Sequence, residues 1–467
     1  MKLLILYLTF HFIFSKKLIF VLTHFRHGAR APVSLDENNY DLFKQKWLYP
    51  GELTVVGQRM HYLIGRHNHE RYIDQLNFLS KNFNSNEIHI LSTNFNRTIQ
   101  SALAQFQGLY YLNSSFNDRI NDNQKKISNP PINITKDIQN EIDKLNLINS
   151  ALPQFLQTIP INIINNIEYD MEIYDVSYCV DKVIEYAKIN FESDLFKKLL
   201  NEFNNKFSKS FNKFFNQIGN YSIPYIINLC DQFISDIYDG RDLNFLEYFY
   251  NINLNDLENY CLDFGRINSF FSLITDNNNS LLYSMMTPFF RELLNYMKNR
   301  IDIDINNIKN DNSIPKFVMF SGHDASLGSM ETFIIKAFNI TEESFFVNPI
   351  YSSSCFFEVY RKENSTNKKF LDYSDYIVDY IFNDKLMKSW DFNEFYSIII
   401  SKLWSKEQIN NYCEFNKETN ISDPRITLKY IILLLLIFIF TLVAFNLYLF
   451  IKYLISDDPE LNKFLEN

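Results

Sequence analysis

Three short stretches of this sequence hold side chains that could do chemistry together. "FRHGARAP" crowds Arg26, His27 and Arg30, "STNFNRTIQSA" adds Arg97, and "SGHDASLG" sets His323 beside Asp324. Guanidiniums and imidazoles packed this closely repel one another, so the grouping makes physical sense only around an anion. The forked donors of arginine match the oxygens of a phosphoryl group. A ring nitrogen of His27 could attack phosphorus, and Asp324 could protonate a departing oxygen and later accept a proton from water. His323 could donate a hydrogen bond to a phosphoryl oxygen. The scheme needs no cofactor and no metal, and the sequence offers no carboxylate cluster suited to one. Taken singly, each stretch has a plainer reading. A His-Asp pair often caps a helix, "NRT" is often a sequon or a helix start, and an Arg-His-Gly turn can be a solvated corner. His24, His61, His67, His69 and His89 read as ordinary structural or surface residues.

What lifts the three stretches above accident is the elements that precede them. Leu18 to Phe25 is a continuous apolar run of the kind buried on both faces of a parallel sheet. Glu87 to Ser92, "EIHILS", and Lys316 to Phe320, "KFVMF", read as two further strands. Each charged cluster follows one of these strands, and ligands in open α/β sheets bind beyond the carboxyl ends of strands. Segments far apart in sequence can therefore meet at one sheet edge. Helices are expected over Glu52 to Arg71, entered through the "GELT" turn, and over Arg97 to Tyr111. From about 120 to 310 helical periodicity dominates and convincing strands are absent. Strand character returns at "KFVMF" and at Ser354 to Tyr360, "SCFFEVY".

The 467 residues exceed one small core, and 46% hydrophobic with 16% aromatic content leaves ample surface to bury. A formal net charge of −9 without a long basic block argues against a nucleic-acid partner. Met1 to Phe14 places Lys2 before an apolar run too short to span a bilayer, which reads as a signal peptide. Tyr430 to Ile451 is uncharged, and as a helix it would be about 33 Å long, enough to cross a hydrocarbon core. The signal peptide orients the chain as a single-pass type I membrane protein, with its body lumenal or extracellular, in a lysosome, an acidic vacuole or the cell surface. Such compartments are oxidising, so the five cysteines allow two disulfides with one thiol left over. Sequons at Asn113, Asn133, Asn220, Asn278, Asn339, Asn364 and Asn420 fit a glycoprotein.

The resulting expectation is an α/β fold with a mostly parallel central sheet flanked by helices, a large α-helical insertion and one C-terminal transmembrane helix. Its parts are a signal peptide (1–15), a first α/β segment (16–118), a helical cap (119–311) and a second α/β segment (312–400). A juxtamembrane extension (401–429), the membrane helix (430–451) and a cytosolic tail (452–467) complete it.

The motifs resemble those of the histidine acid phosphatases, the RHGxRxP branch of the phosphoglycerate mutase-like superfamily. "FRHGARAP" is similar to the signature itself, "GELTVVGQRMHYLIG" to the family's G-[QE]-L-T-x-x-G stretch, and "STNFNRTIQSA" to its S-T-D-x-x-R-T block. "SGHDASLG" resembles the His-Asp motif and "SSSCFFEVY" the strand after it. The strong resemblance covers roughly 18–112 and 316–361. It implies His27 as nucleophile, Arg26, Arg30, Arg97 and His323 as phosphate ligands, and Asp324 as proton donor. It also implies disulfides Cys230–Cys355 and Cys179–Cys413 with Cys261 free, and homodimers are common in the family. Asn94 stands where the family commonly has an Asp that helps order the arginine loop. The sequon at Asn96 adjoins Arg97, so a glycan there would obstruct the pocket, and it is expected to stay unmodified.

The function expected is an acid phosphatase that hydrolyses phosphate monoesters through a phosphohistidine. Ala29, at the position after "RHG", leaves a phytase or inositol-polyphosphate phosphatase as the alternative. A phosphomutase is disfavoured by the same Ala29 and by the two targeting segments. A catalytically inactive membrane glycoprotein is disfavoured by the intact His27 and Asp324.

Overall fold

The computed structural model describes residues 16–111, 120–128, 134–150, 152, 159–164, 179–216, 219–271, 279–308, 313–365, 368 and 370–413. The expected signal peptide, the expected membrane helix and several sequons lie outside them. Among the described residues, no helix is long and apolar enough to cross a membrane. The chain divides into two compact units at Lys406 and Glu407, and the site described below belongs wholly to the first.

Seven strands form one sheet: β1 (Lys17–Arg26), β2 (Ile88–Thr93), β3 (Asn162–Ile164), β4 (Phe317–Gly322), β5 (Ser354–Arg361), β6 (Tyr376–Phe382) and β7 (Lys385–Asp391). Their order is β3-β2-β4-β1-β5-β6-β7. β3, β2, β4 and β1 pair in parallel, whereas β5, β6 and β7 add on antiparallel. The sheet is therefore mixed rather than mostly parallel. Strand direction is set by the connections: the short link from β6 to β7 can only be a hairpin. The short edge strand β3, inside the segment where helical periodicity dominates and no strand is expected, lines up with the end of β2 from Leu91 to Thr93.

Seven helices matter for the site: α1 (Val55–His69), α2 (Asn96–Leu109), α3 (Asp194–Phe215), α4 (Ile223–Tyr238), α5 (Leu254–Phe271), α6 (Ser280–Ile305) and α7 (Asp324–Ala337). α1 begins at Thr54, whose hydroxyl caps the Gly57 N–H at 3.2 Å. α2 buries Ala102, Phe106 and Leu109 among Val21, Phe25, Ile88, Ile90 and Met319 of the sheet. On α3, Phe196, Leu199, Phe203, Phe207 and Phe211 recur at helical spacing and are buried, with Phe233 of α4 and Phe264 of α5 in the same core. Each such ring contributes about 1.5–3 kcal/mol by leaving water. This second core, also joined by Phe43 from the loop after β1, gives the helices between β3 and β4 their own support.

The disulfide pattern departs from the one the resemblance implied. Cys230 bonds Cys261, tying α4 to α5 across a Cα separation of 5.1 Å. Cys355 is the free, buried thiol, and its sulfur lies 3.5 Å from that of Met330 on α7. The Cys230–Cys355 pairing is thus replaced, because Cys355 sits on the central strand β5 with its side chain turned into the α7 packing layer. Cys179 and Cys413 are both disulfide-bonded.

Candidate active site

Strand register explains why the three clusters meet. Arg26, the last residue of β1, lies opposite Gly322 of β4, and Ser92 of β2 lies opposite Ser321. The loop after β1, the start of α2 and the start of α7 therefore leave the sheet side by side. Antiparallel β5 begins at the same edge, where Phe25 faces Ser354, so the segment before it also arrives there.

The turn after β1 is held in place by backbone contacts. The His27 N–H donates to Gly322 O at 3.0 Å, and the Gly28 N–H donates to Ser101 Oγ of α2 at 3.1 Å. Gly28 presses on α1 so closely that a Cβ there would lie 2.5 Å from Gly57 O, so only glycine fits. His61 on α1 is fully buried, and its Nε2 contacts Arg26 O at 3.1 Å while Gln105 of α2 faces its Nδ1 at 2.9 Å. Burial lowers its pKa to about 4, so it is neutral and donates Nε2–H to the Arg26 carbonyl. Far from being incidental, His61 clamps the peptide just before His27. His24 likewise contacts Ser326 Oγ at 3.1 Å, and Ser326 Oγ accepts the His323 N–H at 3.0 Å.

His27 is 2% exposed. Its Nδ1 lies 2.9 Å from Gly28 O, and a carbonyl can only accept, so Nδ1 carries the proton. Burial first, and then Arg26, Arg30, His323 and Arg97, hold its pKa well below the usual histidine value. The ring is therefore neutral, with the lone pair on Nε2. The His323 ring lies 5.5 Å away, centroid to centroid, and Tyr351 5.8 Å.

Around His27 stand the arginines. Arg26 donates to Pro349 O at 2.9 Å, pairs with Asp324 at 2.9 Å and lies over the Tyr351 ring at 4.3 Å. Arg30 makes a two-pronged pair with Asp231 of α4, at 2.6 and 3.3 Å. Arg97, on the first turn of α2, rests over Phe95 at 4.5 Å and leaves its Nε buried without a hydrogen-bond partner. Burial, and next the Arg30 charge, lower its pKa to about 10. It is still a cation at any physiological pH, influenced by the more distant Asp324 and Asp231 but without a direct ion pair among the described residues. His323 caps α7, and its Nε2 donates to Thr93 Oγ1 at 3.0 Å, since that hydroxyl gives its own proton to Thr98. Burial, followed by Arg97, lowers the His323 pKa to about 4.

Asp324 opens α7 and is 41% exposed. Burial alone would raise its pKa, but Arg26, then Arg30 and His323, outweigh it and the net shift is downward. As it stands, Asp324 is a carboxylate held by Arg26, and an anion competing for Arg26 would ease its protonation.

The six residues singled out from the sequence thus come together at one edge of the sheet, with Arg26, Arg30, Arg97 and His323 around His27 and Asp324 paired with Arg26. Several neighbours were not foreseen. Tyr351 and Asp231 have no local motif, and Thr93 lay unremarked inside a quoted one. Asn94 is exposed and makes no hydrogen bond to the arginines among the described residues. Arg30 is steered by Asp231 instead. Asn96 is exposed and donates to Glu52 at 2.8 Å.

Parts of this chain are similar to known phosphatases. Putative acid phosphatase 11 of Caenorhabditis elegans is 38% identical over 98 residues, 20% of this chain and 23% of that protein. Lysosomal acid phosphatase of Xenopus laevis is 36% identical over 99 residues, 21% of this chain and 22% of that one. The chain thus matches less than a quarter of the length of these relatives. The fold resembles that of Hafnia alvei phytase in complex with myo-inositol hexakis sulphate, with a TM-score of 0.52 and 14% identity over 84% of this chain and 98% of that one. A family model matches residues 17–383, and the chain belongs to the histidine phosphatase superfamily (branch 2).

Proposed function

We propose that this chain is an acid phosphatase that hydrolyses phosphate monoesters through a phosphohistidine on His27. The observation that carries the proposal is the His27 tautomer. With Nδ1–H bonded to Gly28 O, the Nε2 lone pair is the group left to face the surrounding cations.

In the proposed reaction Arg26, Arg30 and Arg97 bind the phosphoryl oxygens. The buried cations stabilise charge on those oxygens without reorganising. The incoming dianion draws Arg26 from Asp324, whose pKa then rises so that it takes up a proton. His27 Nε2 attacks phosphorus as the ester P–O bond breaks, and Asp324 gives its proton to the departing oxygen. Gly28 O steadies the Nδ1–H as the ring becomes positively charged. Water then attacks the phosphohistidine, Asp324 takes its proton, and inorganic phosphate leaves. His323 turns its Nε2–H from Thr93 toward a phosphoryl oxygen. A donor that must be protonated beside several arginines favours acidic pH.

The proposal extends to the rest of the chain. It is anchored by 430–451 after removal of 1–15, glycosylated on a lumenal or extracellular body, and roofed by helices of 119–311. The test is a phosphatase assay of the purified full-length chain against a broad ester panel from pH 4 to 8, beside His27→Ala. Turnover at acidic pH that His27→Ala abolishes supports the proposal. Absence of turnover on every ester favours an inactive glycoprotein, and undiminished turnover by His27→Ala rules out the mechanism.

A further inference from the structure

A cavity of about 220 Å³ opens beside the phosphate cluster, and its lining is unlike that cluster. Arg26, Asp324 and Tyr351 form its shared wall, so the group that protonates the leaving oxygen faces directly into it. The opposite wall comes from α4 and α5, with Ile227, Ile234, Leu262 and Phe264 as its apolar surface. The Cys230–Cys261 disulfide belongs to the same wall and pins the two helices that carry it. Among the described residues, Arg26 is the sole cation on the lining, and it is already paired with Asp324. Asp231 adds a second carboxylate.

These features decide what can leave from this site. An ester bearing further phosphates would push negative charge toward Asp231, and among the described residues the cavity wall offers no lysine and no arginine besides Arg26, which Asp324 and the reacting phosphoryl group already occupy. An apolar group would instead bury its surface against the isoleucines and Phe264. The volume lies below the range of ordinary drug-sized pockets, so it suits one ring or a short chain. We infer that the cavity is the leaving-group pocket and that it selects monoesters with an uncharged, apolar leaving group of about one ring, against polyphosphorylated esters. The inference rests on the phosphatase reading above and narrows its substrate class.

Gly265 on α5 gives a handle. It lines the cavity, and a Cβ added to it would meet nothing within 4 Å. A larger side chain there starts from open space on the cavity wall, at a residue that is no part of the arginine cluster. Benzyl phosphate and ethyl phosphate differ in apolar bulk while both release primary alcohols, so their kcat/KM ratio reports the pocket rather than leaving-group chemistry.

The experiment measures kcat/KM of the detergent-solubilised full-length chain for benzyl phosphate, ethyl phosphate and myo-inositol hexakisphosphate, then repeats it with Gly265→Phe and Gly265→Ala. The wild type is expected to prefer benzyl over ethyl phosphate by at least about tenfold, as an apolar pocket discriminates by added methylenes. It should disfavour the hexakisphosphate by a wider margin. Gly265→Phe should cut the benzyl-to-ethyl ratio by about tenfold, and Gly265→Ala, which adds one methyl, should move it the same way by less. Thermal melting and inhibition by inorganic phosphate check that the variants fold and keep the anion site. If Gly265→Phe folds poorly, the Gly265→Ala ratio decides. A ratio that does not move in a folded variant, or a wild type that favours the hexakisphosphate, overturns the inference and leaves the phosphatase reading standing. No turnover of any ester overturns both.

Discussion

Asp236 on α4 contributes stability that is lost as pH rises. Its side chain is fully buried, and Trp47 Nε1 bridges it to Asp41, at 3.2 Å to Asp236 and 3.1 Å to Asp41. Burial first, and then its hydrogen bond to Asp41 and the Asp41 charge, push its pKa up to about 9, although Arg241 at 3.7 Å pulls the other way. The folded chain therefore keeps a proton that the unfolded chain releases near the usual aspartate value of about 3.9. Between those two pH values the native state binds more protons, so stability falls as pH rises. One proton corresponds to about 1.4 kcal/mol per pH unit, so moving from pH 5 to pH 7 costs up to about 2.7 kcal/mol from this group. His24, His27, His61 and His323, whose pKa values burial lowers, act in the opposite sense and lose stability as pH falls through about 6.5. The useful quantity is therefore a difference. Urea unfolding of wild type and Asp236→Asn at pH 5 and 7 should show the wild type losing about 1–2.7 kcal/mol more than the variant over that interval. Equal pH dependence in the two proteins would refute the shared-proton reasoning.

Other outcomes follow from the same geometry. Asp231→Asn strands Arg30 in a buried position, which should cost about 3–5 kcal/mol; urea unfolding with saturating inorganic phosphate should recover part of that loss. Asp324→Asn should lower kcat by about 10²–10⁴-fold, more for alkyl than for activated aryl esters, as steady-state kinetics across a leaving-group series would report. Alkylation of the denatured, unreduced chain should find one thiol, on Cys355, and none reacting in the folded protein.

The site was legible in the sequence to the extent that its chemistry sits at strand ends. The run before "RHG", the strand before "NRT" and the strand before "GHD" each announced where their clusters would lie, and β1, β2 and β4 bring them to one edge. Tyr351 and Asp231 were not legible, because each reaches the site through tertiary packing. Tyr351 comes from the loop entering an antiparallel strand, and Asp231 from one face of a helix whose spacing reports only its apolar side. The same limit explains the disulfide. The motif around Cys355 resembles the family's, but which sulfur Cys230 meets depends on how α4 and α5 pack, and that is written in the phenylalanines of the second core. β6 and β7 were passed over although "YIVDYIF" and "KLMKSWD" are strand-like, since nothing local marks which way they run. His61 looked incidental because its role is to hold a backbone carbonyl, which no spacing reveals.

The central claim is a covalent bond between phosphorus and His27 Nε2. The direct measurement is to mix the full-length chain with a rapidly hydrolysed ester, quench in alkali where phosphohistidine survives, and map the phosphoryl group by peptide mass spectrometry. The account predicts phosphate on the peptide containing His27 in the wild type, increased in Asp324→Asn with an activated aryl ester and absent in His27→Ala. Phosphate on another residue, or rapid turnover with His27 never modified, would contradict it.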